Sequence, residues 1–95
     1  MILEVAQVAI LPGHESAFEA DLNQAVDEVL LQAAGCVSFT AHGWCVERPH
    51  VFMFTIGWET LEDHTVGFRG SDLFVRWREL IGPHFDGTPV VEHFA

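Results

Sequence analysis

Ninety-five residues suffice for one domain, near the lower limit at which a chain buries an adequate core alone, so a single unit over residues 1–95 is expected. Fourteen acidic side chains stand against four arginines and no lysine, and the resulting formal charge of −10 argues against nucleic-acid and membrane-surface partners, whose phosphates such a chain would repel. With 49% hydrophobic residues, including eight Phe and three Trp, the chain is more apolar than a small solitary domain requires, which points to a partner surface.

Ile2 to Ile10 reads as a strand, stopped by the turn signal Leu11-Pro12-Gly13. From Glu15 the period changes. Phe18, Leu22, Val26, Val29, Leu30 and Ala33 fall at helical spacing, and Gly35 follows as the expected C-cap. Acidic residues in the first turns suit the positive end of the helix dipole. Cys36–Val46 and Val51–Trp58 read as two strands joined in a hairpin by the polar link Glu47-Arg48-Pro49-His50.

Thr60-Leu61-Glu62-Asp63 resembles a capping box with Asp in place of Glu, and it opens a second helical region that Gly67 and Gly70 should interrupt. Ser71 can cap a fresh helix, whose stripe of Leu73, Phe74, Trp77, Leu80 and Ile81 runs to the stop signal Gly82-Pro83. After the turn at Asp86-Gly87, Thr88 to Phe94 forms a last strand. The order is β-α-β-β-α-β, which specifies an α+β, ferredoxin-like domain with an antiparallel sheet.

The strand over Val51–Trp58 does not alternate, and Ile2–Ile10 does so weakly. An antiparallel sheet with one wet face should alternate cleanly. Both faces are therefore expected to be covered, one by the helices and the other by a second copy of the chain, giving a homodimer through the sheet. The N-terminal run lacks a basic segment and is interrupted by Glu4, so neither a signal peptide nor a membrane span is expected. Cys36 and Cys45 match no disulfide or CxxC pattern, and a reduced, cytoplasmic setting is the expectation.

The run Phe54-Thr55-Ile56-Gly57-Trp58-Glu59-Thr60, then Glu62-Asp63-His64, then Phe68-Arg69-Gly70-Ser71, resembles the antibiotic biosynthesis monooxygenase family. The closing Pro89–Phe94 is also similar to the last strand of many members. This resemblance implies a dimeric α/β barrel with a small apolar cavity between the sheet and the helices of each subunit. It further implies one of three roles: oxygenation of phenols or hydroquinones without metal or flavin, haem cleavage, or an activity not yet assigned.

Cofactor-free oxygenation needs an electron-rich phenol, a base and a dry pocket. His64 is the candidate base, because its intrinsic pKa lies near neutrality. Trp58 is the candidate wall and N–H donor, Phe52, Phe54, Phe68 and Trp77 are candidate lining for a small aromatic substrate, and Gln7 is a candidate polar anchor if it faces inward. Each has a plainer reading: Trp58 as core, His64 as an exposed histidine beside Glu62 and Asp63, and Gln7 at the solvent edge.

Haem-degrading relatives usually carry Asn at the position of Gln7. They place Trp where this chain has Phe68, and an axial His where it has Trp77-Arg78, so haem cleavage is not expected and no cofactor is assigned. His42, Cys45 and His50 match no metal spacing and share no strand face, so no metal is assigned either. His14 and His84, beside Gly and Pro, read as loop or cap residues. Arg69, Arg76 and Arg78 read either as a solvated helix face or as a receptor for an anionic substrate group. The alternative to a cofactor-independent monooxygenase is a non-catalytic small-molecule-binding or stress-related dimer using the same cavity.

Overall fold

The computed structural model describes residues 1–95. Strand β1 (Ile2–Ala9) leads to helix α1 (Glu15–Glu28), strand β2 (Cys36–Trp44) and strand β3 (Val51–Trp58). A π-helical segment (Asp63–Phe68), helix α2 (Asp72–Ile81) and strand β4 (Val90–Phe94) follow. The strands form one antiparallel sheet in the order β2-β3-β1-β4, and both helices pack on one face of it. This is the ferredoxin-like arrangement that the element order implies.

The two central strands present their even-numbered residues to the helices. Ala6, Val8, Phe52, Phe54, Ile56 and Trp58 are all buried there, against Phe18, Leu22, Ala25 and Val26 of α1 and Trp77 and Ile81 of α2. The helical period of one layer and the two-residue period of the other thus meet in a single core. The apolar stripe expected to carry α1 through Ala33 breaks at Val29 (φ −121°, ψ −64°) and tightens into a 3₁₀ turn over Leu30–Gln32. Leu30 and Ala33 still reach the core from that turn.

Gly35 adopts φ +80°, and a Cβ at this position would run into the Asp63 carboxyl group. Its carbonyl accepts from the Glu59 N–H at 2.8 Å, so the bare glycine lets the end of β3 and the start of the π-helical segment close over it. The capping box with Asp forms in both directions: the Thr60 N–H donates to Asp63 Oδ2 at 3.2 Å, and the Asp63 N–H to Thr60 Oγ1 at 3.1 Å.

The region after Thr60 holds one wide turn instead of a broken α-helix. The Arg69 N–H donates to the His64 carbonyl at 3.1 Å, five residues back. Ser71 then joins this segment to α2, donating its hydroxyl to the Phe68 carbonyl at 2.6 Å and accepting the Phe74 N–H at 3.3 Å. Strand ends also differ from expectation. β2 stops at Trp44, where a Cys45 N–H to Val51 carbonyl bond closes the hairpin, and β4 begins after Pro89, which has no N–H for the ladder.

The other sheet face carries the odd-numbered residues of β1 and β3. Val51 and Thr55 are buried there by their neighbours, which accounts for the unbroken apolar run of β3. Leu3 and Phe94, directly opposite each other, are exposed, as is Val90. Gln7 belongs to this face as well, paired with Met53 and Val90, and its Oε1 accepts from Arg48. The expectation that Gln7 turns toward the helices is therefore corrected: strand parity sends its side chain the opposite way. No helix is long and apolar enough to cross a membrane.

Candidate active site

Parity that places Ala6 and Val8 in the core places Glu4 there too, and its carboxylate is buried. A buried carboxylate needs partners. The Trp58 indole N–H donates to Glu4 Oε1 at 2.9 Å, and His64 Nε2 lies 3.3 Å from the same oxygen. His64 Nδ1 in turn lies 2.7 Å from Nε2 of His93, which sits opposite Glu4 on β4. Four elements therefore converge on one array, Trp58–Glu4–His64–His93.

His64 is buried rather than exposed, because the capping box and the π-turn fold its segment back over the end of β3. Its ring stacks on the Trp58 indole, with centroids 5.1 Å apart and planes at 15°. Burial, then the positive charges of Arg69 and His93, push His64 down to about 4. Burial and then Arg69 lower His93 as well. Burial pushes the Glu4 carboxyl up, against the opposing effects of the Trp58 hydrogen bond and of Arg69. His64 is therefore neutral at neutral pH.

With Glu4 ionised, Nε2 of His64 is the nitrogen that carries the proton toward the carboxylate, and Nδ1 accepts from His93. With Glu4 protonated, the same contacts run in reverse. Glu4 Oε2 makes no hydrogen bond within the protein, and no buried polar atom is left without a partner. Oε2 is thus the accessible carboxylate oxygen.

It opens into a cavity of about 240 Å³ between the sheet and α2. Ala6, Val8, Phe54 and Ile56 form its floor, Phe68, Phe74, Trp77 and Ile81 its walls, and Arg69 and Arg78 lie at the mouth. An apolar cavity of about 150 Å³ takes benzene, so this one has room for a bicyclic aromatic.

Of the residues singled out in the sequence, His64, Phe54, Phe68 and Trp77 line the cavity. Trp58 is fully buried behind His64 and holds Glu4 instead of forming a wall. Phe52 belongs to the opposite end of the core, against Phe18 and Trp44, and Gln7 is on the far sheet face. Sequence reasoning missed Glu4, treating it only as a break in an apolar strand. Its signal was its even position among Ala6 and Val8, since an ionisable side chain on a core face demands partners.

Elsewhere, His42 contacts Thr55 Oγ1 at 2.9 Å, and Cys45 contacts Glu47. No group of three or more His, Cys, Asp or Glu side chains is arranged to hold a metal ion. His84 is buried, with Asp21 at 2.7 Å and His14 at 3.1 Å, and ties α1 to the turn after α2.

The chain thus combines a ferredoxin-like fold with a buried carboxylate–histidine array beside an apolar cavity. The chain matches the antibiotic biosynthesis monooxygenase family model over residues 1–80 and belongs to that family. It is 36% identical over 96 residues to the uncharacterized protein YczJ of Bacillus subtilis (strain 168), covering 99% of this chain and 97% of the relative.

A crystal structure from Bordetella bronchiseptica that carries the family's name superposes with a TM-score of 0.92 at 36% identity, covering 99% of this chain and 94% of the other. The fold is shared with the ActVA-Orf6 monooxygenase of Streptomyces coelicolor, solved with nanaomycin D, at a TM-score of 0.77 and 18% identity, covering 98% and 84% of the two chains.

Proposed function

We propose that the protein is a cofactor-independent monooxygenase acting on a small phenolic or hydroquinone-like aromatic, with Glu4 and His64 together as its acid–base unit. The observation that carries this reading is the buried Glu4 carboxylate, with one oxygen fixed by Trp58 and His64 and the other facing the apolar cavity. A base raised by burial toward the working pH and aimed into a dry pocket is what phenol deprotonation requires. Membership of a monooxygenase-named family supports the same direction.

In this reading the substrate O–H proton passes to Glu4 Oε2, and His64, linked to Glu4 and His93, compensates the change in charge. The phenolate gives one electron to dioxygen. The resulting aryloxyl radical couples through a ring carbon to superoxide, forming a C–O bond, and protonation yields a hydroperoxide. Loss of the ring C–H proton with O–O cleavage then releases water and leaves a carbonyl. A phenol bearing a ring C–H plus dioxygen thus gives a quinone plus water, and the substrate supplies all four electrons. The apolar walls exclude water from the radical pair.

The partner in this reading is a second copy of the chain. Leu3, Val90 and Phe94 on the outer sheet face form the apolar surface that two sheets would bury between them. The experiment is oxygen uptake by purified protein with hydroquinones, anthrones and naphthols, with no cofactor added. Uptake that depends on the protein and collapses in His64→Ala supports the reading. Rates no higher than spontaneous autoxidation across the series count against it and favour a binding role.

A further inference from the structure

Arginine is the only strong cation in this chain, and its four copies face 14 acidic residues. On such a surface every guanidinium is expected to find a carboxylate. None does: the carboxylate contacts within 4.0 Å are His64 with Glu4 and His84 with Asp21. Arg48 is held by Gln7 on the far sheet face. Arg69 and Arg78 both lie at the mouth of the cavity, one at the end of the π-turn and the other on α2.

Arg78 is positioned over the Phe74 ring, its guanidinium carbon 5.8 Å from the centroid, so the cavity wall itself orients it. Half of the chain's fixed positive charge is therefore gathered, unpaired, at the entrance to its apolar cavity. The surrounding charge of −10 would otherwise repel any anion.

We infer that the substrate is an aromatic acid whose carboxylate is received by Arg69 and Arg78 at the mouth while its phenolic ring lies in the cavity against Glu4 and His64. This rests on the oxygenase reading for the identity of the ring, but the charge preference is testable without turnover. A guanidinium matches a planar carboxylate with two parallel N–H donors. Fixing the acid at the mouth would also hold the opposite end of a bicyclic ring toward Glu4 Oε2, so Arg69 and Arg78 select and orient.

The test compares two probes that differ by one carboxylate, 6-hydroxy-2-naphthoate and 2-naphthol, the acid carrying its hydroxyl at the end of the ring system opposite the carboxylate. Binding is followed under anaerobic conditions by quenching of tryptophan fluorescence, since Trp77 lines the cavity. The acid is expected to bind roughly tenfold more tightly, the sum of two partly exposed charge-assisted contacts. Arg69→Gln and Arg78→Gln should each remove part of this preference, and the double variant all of it, with binding of 2-naphthol changed much less than that of the acid. Arg76→Gln, on the same helix but away from the cavity, should leave the preference intact.

Equal binding of both probes, or a preference that survives the double variant, would overturn the inference. That outcome leaves the oxygenase reading standing on neutral phenols. Failure of both probes to bind the wild-type protein would overturn the inference and also count against the oxygenase reading.

Discussion

His64 stacks face to face on Trp58, with ring centroids 5.1 Å apart and planes at 15°, and this contact holds the Trp58–Glu4–His64–His93 array together. Trp58 ends β3 and donates to Glu4. His64 begins the next segment, and the capping box brings it back over the indole. A six-residue separation thus places both rings against one carboxylate on a strand more than fifty residues earlier in the chain.

The array makes Glu4 sensitive in two distinguishable ways. Glu4→Gln keeps an acceptor for the Trp58 N–H but cannot take a proton. Its circular dichroism should match the wild type while turnover falls about 100-fold or more, the usual scale for removing a general base. Glu4→Leu leaves the Trp58 N–H and a His64 nitrogen buried without a partner, and should cost about 1–3 kcal/mol in urea denaturation.

The pH dependence of stability follows from the depressed His64. Its ordinary value of 6.5 falls to about 4 in the folded protein, so between these values the unfolded chain binds the proton more readily. The stabilisation is complete above pH 6.5 and is lost as the pH falls toward 4. The raised Glu4 carboxyl acts in the opposite sense, so the informative comparison is with a variant that retains it. Relative to His64→Gln, the wild type should lose thermal stability steadily between pH 7 and 4. Parallel curves would contradict the burial of His64.

Gly35 should tolerate no side chain. Its φ of +80° and the Asp63 carboxyl group beside it oppose a Cβ for separate reasons. Gly35→Ala should therefore destabilise the fold by about 1–3 kcal/mol in chemical denaturation. An unchanged denaturation midpoint would mean that the segment carrying His64 is free to move away.

The exposed pair Leu3 and Phe94 gives the test of assembly. Light scattering should report a dimer for the wild type and a monomer for Phe94→Asp, because a twofold interface repeats the inserted charge on both sides. A monomeric wild type, or a variant that remains dimeric, would contradict pairing through this face.

Much of the fold was legible because hydrophobic period and turn chemistry agree along the chain. The turn at Leu11-Pro12-Gly13, the start of α1 at Glu15, the Ser71 cap and the stop at Gly82-Pro83 lie where the structure has them. Helix α1, however, ends at Glu28, before the expected Gly35 cap. The site was legible only in part. His64, Phe54, Phe68 and Trp77, singled out from residue type and resemblance, line the cavity, but the side on which a strand residue falls was not read. Gln7 and Glu4 lie three apart on one strand and so point to opposite faces. The resemblance drew attention to Gln7, conditional on its facing inward, and its other reading, at the solvent edge, is the one that strand parity supports. The π-turn also escaped notice, because Gly67 and Gly70 read as breaks and only the packing of His64 over Trp58 requires the wider turn.

The central claim is that one atom of dioxygen is transferred to substrate carbon at the Glu4–His64 site. The direct measurement is mass spectrometry of the product formed under ¹⁸O₂ from a turned-over naphthol or hydroquinone, with wild type and Glu4→Gln compared. The account predicts one labelled oxygen per product molecule, the other in water, and loss of labelled product in the variant. Unlabelled product with release of hydrogen peroxide, or equal labelling by Glu4→Gln, would contradict it.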